Sequence, residues 1–103
     1  MTTDTLTDCL LAGYDPARRG DLEARFAIAT AETSAAFEIA QAGFRVLDPD
    51  APVDVTIYCR DTALAIALFT GRGNPVEAFM SGDFSASGYL VWIFRILGAF
   101  RPV

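Results

Sequence analysis

Few side chains in this 103-residue sequence are equipped for chemistry. It contains no His, which excludes Ser-His-Asp and Cys-His nucleophile pairs, imidazole bases and the common zinc sites. Cys9 and Cys59 stand far apart, without a C-x-x-C spacing, and read as reduced, buried thiols rather than a disulfide scaffold. Asp48, Asp50 and Asp54 cluster in sequence, yet their spacing matches no calcium loop, so they read as solvated turn residues. Arg72, in Gly71-Arg72-Gly73, reads as part of a surface turn, and that Gly-x-Gly is too little to define a phosphate cradle. Tyr58 offers a hydrogen bond, but nothing marks it as catalytic. Arg95 stands out as a lone charge in a strongly apolar segment. Three roles fit it: holding a carboxylate or phosphate head group, pairing with an acidic neighbour, or reaching out to water. No catalytic residue, metal or cofactor is expected.

The elements that must position these residues are legible as periodicities. Leu6, Cys9, Leu10 and Gly13 have helical spacing, with Thr3, Asp4 or Thr5 as a cap and Gly13 as a stop. Tyr14 to Asp21 reads as a loop punctuated by Pro16 and Gly20. From Arg25 the period becomes two. Phe26, Ile28 and Thr30 alternate with Arg25, Ala27 and Ala29, and after a turn at Glu32-Thr33-Ser34, Phe37 and Ile39 alternate with Ala36, Glu38 and Ala40. Gly43 breaks the run, Phe44 and Val46 follow, and 48–52 form a turn by composition. Val53, Val55, Ile57 and Cys59 then share one strand face, and Asp54, Thr56, Tyr58 and Arg60 the other. Four such strands joined by short turns suggest an antiparallel meander with one apolar and one wetter face.

The second half mixes helix and strand. Asp61 or Thr62 caps a helix from Ala63 to Phe69, and Asn74-Pro75-Val76-Glu77 starts another that ends at Gly82. Asp83 to Ser87 alternates with Phe84 and Ala86 inward, and Ser87-Gly88 opens a last helix from Tyr89 to Phe100. That helix is apolar nearly all round, whereas a surface helix is polar on one side. It is either buried between sheet and neighbouring helices, or it lays one face on the core and the other on an apolar ligand, a membrane surface or a second subunit.

Composition narrows the partners. Eight basic and thirteen acidic residues give a net charge of −5, which argues against nucleic acid or an anionic membrane as a general partner. The length fits one domain, residues 1–103. Apolar residues make up 52% and mean hydropathy is +0.33, so a sink for apolar surface must exist: a core, a filled cavity or a partner. The run Cys9-Leu10-Leu11-Ala12 is too short for a signal segment, and Tyr89 to Phe100 too short to cross a membrane. A cytoplasmic protein is expected.

Between Asp54 and Gly88 the sequence resembles the sterol carrier protein 2 family. The resemblance rests on Asp54-Val55-Thr56-Ile57, the helix Leu64 to Phe69, Thr70-Gly71, Asn74-Pro75, Ala78-Phe79-Met80-Ser81-Gly82, and Phe84-Ser85-Ala86-Ser87-Gly88 in that order. The final helix, with Trp92, Phe94 and Phe100, is bulkier than a typical member's. The resemblance implies an α/β (α+β) fold: a five-stranded, mixed, mostly antiparallel sheet covered by helices on one face, enclosing an apolar tunnel. It implies a small lipid-binding or lipid-transfer protein that takes a fatty acid, fatty acyl-CoA, sterol or similar molecule; the absence of His and of any obvious carboxylate dyad makes an enzyme the least expected reading.

Such a carrier needs a dry cavity and a few polar groups. The expected lining is Val55, Ile57, Leu68, Phe69, Phe79, Met80, Phe84, Leu90, Phe94 and Leu97, with Arg95 at the head group, although ordinary core packing accounts for each equally well. Met80 suits a pocket that adapts its shape. The expected partner is a hydrophobic small molecule, with transient membrane contact and a monomer or homodimer as the assembly. The rival reading is an interaction module that docks through its apolar final helix and has no ligand of its own.

Overall fold

The computed structural model describes residues 2–88 and 90–101, with side chains at 6–88 and 91–101. The chain forms helix α1 (Thr2–Gly13), a short α2 (Pro16–Arg19), strands β1 (Ala24–Ala29), β2 (Ser34–Ala40), β3 (Gly43–Leu47) and β4 (Val55–Cys59), helices α3 (Thr62–Phe69) and α4 (Pro75–Ser81), strand β5 (Phe84–Ser87) and helix α5 (Leu90–Gly98).

Local chemistry sets most boundaries. Asn74 Oδ1 accepts the N–H groups of Val76 and Glu77, both at 3.1 Å, and Gly82 closes α4 in the left-handed conformation. Asp61, not Thr62, caps α3 by accepting the Leu64 N–H at 2.8 Å. Three expectations need correcting here. The helix α1 already runs from Thr2, so no cap sits among Thr3, Asp4 and Thr5. The segment read as a loop holds α2: Asp15 caps it through the Ala17 N–H, and Pro16 starts a helix instead of interrupting one. Helix α5 stops at Gly98, short of Phe100; its expected first residue, Tyr89, lies outside the described residues.

The sheet order is β3-β2-β1-β4-β5. Strands β3, β2 and β1 are antiparallel neighbours, β4 runs parallel to β1, and β5 is antiparallel to β4. The expected four-strand meander therefore has three strands, and the fourth crosses over to the far side of β1. The crossover segment carries Pro49 and Pro52, which have no N–H to give to a ladder and so keep it out of the sheet. It is pinned at its end by Asp54, whose N–H donates to the Arg25 carbonyl and whose carboxylate accepts the Arg25 N–H at 3.0 Å.

Register aligns the apolar residues in rows across one sheet face: Ala24, Ile39 and Phe44; Val55, Phe26, Phe37 and Val46; Ala86, Ile57, Ile28 and Ala35; Cys59 and Phe84. Leu6 and Leu10 of α1, Ala65, Leu68 and Phe69 of α3, and Ile93 and Ile96 of α5 join these strand residues, apart from the half-buried Phe44 and Ala86 and the exposed Val46, in one buried cluster, so the three helices lie on the same face. The opposite face carries Thr56, Tyr58 and the row Arg25, Glu38 and Arg45. Among the described residues, no helix is long and apolar enough to cross a membrane.

Candidate functional site

The interior between the sheet and α1, α3 and α5 is the place the sequence reading points to. Val55, Ile57, Leu68, Phe69 and Phe84 all lie there, buried in the same cluster. Leu97 is half-buried against it, and Phe94 is half-buried on α5. Leu90 belongs to α5, but its side chain lies outside the described ones.

Phe79 and Met80 depart from the expectation of interior lining. Phe79 is 39% exposed and meets the buried Phe84 edge-to-face, centroids 6.1 Å apart; Met80 is 80% exposed. The cause is helical rotation. Ala78 is the α4 side chain that packs on the core, and two residues further on means roughly 200° around the axis, which turns Met80 to solvent.

Arg95 is exposed on the outer side of α5, with Nη2 2.6 Å from Asp21 Oδ1. Of its three sequence-based roles, the structure shows the acidic pairing. The expectation of a helix apolar all round changes with it: Ile93 and Ile96 face inward, while Val91 and Arg95 face outward.

What fills one end of the interior is a group of six rings. Phe26 contacts Phe37, Phe44 and Phe69 at centroid distances of 5.4, 6.5 and 6.1 Å, and Phe37 stacks on Phe44 at 5.5 Å. Phe100 meets Phe44 and Phe69 edge-on at 5.5 and 5.0 Å. Tyr14 stacks on Phe44 at 5.1 Å and meets Phe100 at 5.8 Å. Of these rings, the sequence reading named only Phe69 as lining. The alternation had put Phe26, Phe37 and Phe44 on the inner strand faces, but their mutual contact follows from register between strands. No local pattern marks Tyr14 or Phe100. They are brought together by the chain end returning to the α1–α2 junction, where the Asp15 N–H donates to the Ala99 carbonyl at 2.9 Å and the Arg101 N–H to the Gly13 carbonyl at 2.7 Å.

Polar features near this interior are sparse. The Tyr14 hydroxyl is buried and has no hydrogen-bond partner among the described residues. Burial pushes the Cys59 thiol up to about 11, which suppresses the thiolate a nucleophile or metal ligand requires. Among the described residues, no three His, Cys, Asp or Glu side chains gather as metal ligands would. On the far face of the sheet, Glu38 accepts from Arg25 at 2.8 Å and Arg45 at 2.6 Å, and these two bonds hold its carboxyl below the ordinary range. Surface clefts of about 290, 300 and 320 Å³ lie around Glu23 and Arg25, around Gly43 and Arg45, and around Asn74 and Asp83. None of the expected lining residues borders these three. The described side chains facing this interior offer mainly apolar contact.

Solved structures share this fold at low identity. The chain is similar to a sec-alkylsulfatase from Pseudomonas sp., with TM-score 0.76 and 17% identity, covering 100% of this chain but only 17% of the other. It is similar to sterol carrier protein 2 like 2 from Aedes aegypti, with TM-score 0.61 and 18% identity over 94% of each chain. A ubiquinone synthesis protein, UbiJ-SCP2, matches with TM-score 0.68 and 16% identity over 93% of this chain and 89% of that one. No curated protein matches the sequence. A family model described as the SCP-2 sterol transfer family matches residues 11–90, and by that match the chain belongs to the SCP-2 sterol transfer family.

Proposed function

We propose that this protein holds an apolar molecule of fatty-acyl or sterol type between the inner face of its sheet and the helices, and carries it through water without transforming it. The observation that carries this reading is the incomplete cover of an otherwise wholly apolar sheet face. Phe44 and Val46 both point to the helical side, yet Phe44 is only half-buried and Val46 is 47% exposed at the open β3 edge. An acyl chain laid there meets Phe44 and Val46, with Phe37 and Phe26 fully buried behind them. Each methylene buried contributes about 0.8 kcal/mol, so a chain of some sixteen carbons offers on the order of 10 kcal/mol before ordering costs. Membership of a sterol transfer family supports the same ligand class. The protein in this reading is cytoplasmic, touches membranes only transiently and acts as a monomer or homodimer.

Native mass spectrometry of the purified protein is the test. Adducts of lipid mass, together with displacement of bound Nile red by hexadecanoate or a sterol, are the expected result. A clean unliganded mass with no displacement would overturn the reading.

A second reading, an accessory module without its own ligand, is favoured by the exposed stripe Val76, Phe79 and Met80 on α4 and by the likeness to UbiJ-SCP2. The last helix offers less for such docking, since Val91 is its one large exposed apolar side chain among the described residues. This reading predicts an unliganded mass, no displacement and self-association that rises with concentration.

A further inference from the structure

The Tyr14 hydroxyl is an anomaly of the aromatic interior. A buried phenol normally finds a hydrogen-bond partner, and leaving one unmet is costly. Here the ring is fixed from two sides by Phe44 and Phe100, and its hydroxyl is buried without a partner among the described residues. Among the described residues the chain supplies no acceptor for this phenol, so its hydrogen is available to a group from outside the chain. The same Phe44 against which Tyr14 stacks belongs, with Val46, to the uncovered inner face at the β3 edge. The unmet donor and the opening in the apolar cover therefore share one residue.

We infer that Tyr14 is the polar recognition point of the interior, donating its phenolic hydrogen to a neutral oxygen, a hydroxyl or a carbonyl, of an otherwise apolar ligand that comes in past Phe44 and Val46. The ligand oxygen is neutral because the rings in contact with Tyr14 are both phenylalanines and its hydroxyl is cut off from water. A carboxylate moved against these rings would lose its hydration, and the guanidinium of Arg101 is already bonded to the Ala12 carbonyl at 3.2 Å. Arg95, the cation first suited to a head group, is engaged with Asp21 on the outer side of α5. This assignment rests on the carrier reading and adds to it the class of polar group recognised.

The test compares wild type with Tyr14→Phe in displacement of Nile red by dodecane, 1-dodecanol and dodecanoate. Tyr14→Phe keeps the ring and removes only the oxygen. Dodecanol is expected to lose about threefold to tenfold in affinity, the range of one neutral hydrogen bond, while dodecane loses none. Equal loss for dodecane and dodecanol, or no loss for dodecanol, would overturn the inference and leave the carrier reading standing. Failure of all three to displace the dye from wild type would overturn both. A larger loss for dodecanoate than for dodecanol would overturn the neutral-oxygen class. Thermal unfolding without ligand gives an independent reading: Tyr14→Phe is expected to be at least as stable as wild type, since it removes an unmet polar group. A less stable variant would show that the hydroxyl already has a partner, and would sink the inference. Val46→Glu places a charge at the opening and should weaken dodecane and dodecanol alike; selective loss of one would contradict the proposed path.

Discussion

Arg95 Nη2 stands 2.6 Å from Asp21 Oδ1, an ion pair that ties the last helix to the segment after α2 across 74 positions of sequence. The bond and the charge of Arg95 hold the Asp21 carboxyl below its ordinary range. The same direction holds for Glu38, through Arg25 and then Arg45, and for Asp61, through the Leu64 N–H and then Arg60. A carboxyl with a depressed folded-state pKa stabilises fully above the unfolded value, roughly 4. That contribution disappears as pH falls through the folded value. The urea midpoint of unfolding should therefore stay level from neutral pH to about 5 and fall steadily below about 4. Glu38→Gln should flatten part of that fall. A midpoint indifferent to acid would show that these contacts do not bear on stability.

Ile57 is fully buried between Ile28 and Ala86, whereas its neighbour Thr56 lies on the wetter face beside Ala27 and Ser87. Ile57→Ala should cost about 2–5 kcal/mol in denaturant unfolding, and Ile57→Arg should abolish folding or dye binding. Thr56→Arg should cost far less. Similar costs for the two arginine variants would mean the faces of β4 are assigned the wrong way round.

Gly88 opens the approach to α5 with φ of +92°, and a Cβ placed on it would stand 2.8 Å from Val55 Cγ1. Gly88→Ala should destabilise by about 1–3 kcal/mol, from steric conflict together with an unfavourable backbone angle. Combining it with Val55→Ala should cost less than the sum of the two single changes, because the shortened side chain removes the conflict while the backbone term persists. Strict additivity in urea titrations would rule out the contact.

Cys59 is buried with its thiol pushed up to about 11, while Cys9 is half-buried. At pH 8 only about a thousandth of Cys59 is thiolate. Iodoacetamide should therefore label Cys9 in the folded protein and Cys59 only on unfolding, as followed by peptide mass. Rapid modification of both would contradict the packing around Cys59 and Phe84.

Strand faces, most helix ends and the family were legible in the chain itself, because they depend on neighbours a few positions apart. The alternation around Phe26, Phe37 and Ile57 reports which side of a strand is apolar, and Asn74-Pro75 reports where a helix begins by its own hydrogen bonds. The helix α2 was legible in principle, since Asp15-Pro16 is a start signal, but Pro16 in a polar stretch reads just as readily as a break. Arg95 was recognised as unusual without its partner being nameable, since Asp21 reaches it only once α2 packs on α5. Four decisions belong to tertiary structure alone: the parallel pairing of β4 with β1, the outward turn of Met80, the gathering of Tyr14 with Phe44 and Phe100, and the gap in cover at Val46. Each depends on how far one element is rotated or shifted against another, and that is settled by filling the shared interior across long sequence separations, which local patterns do not encode.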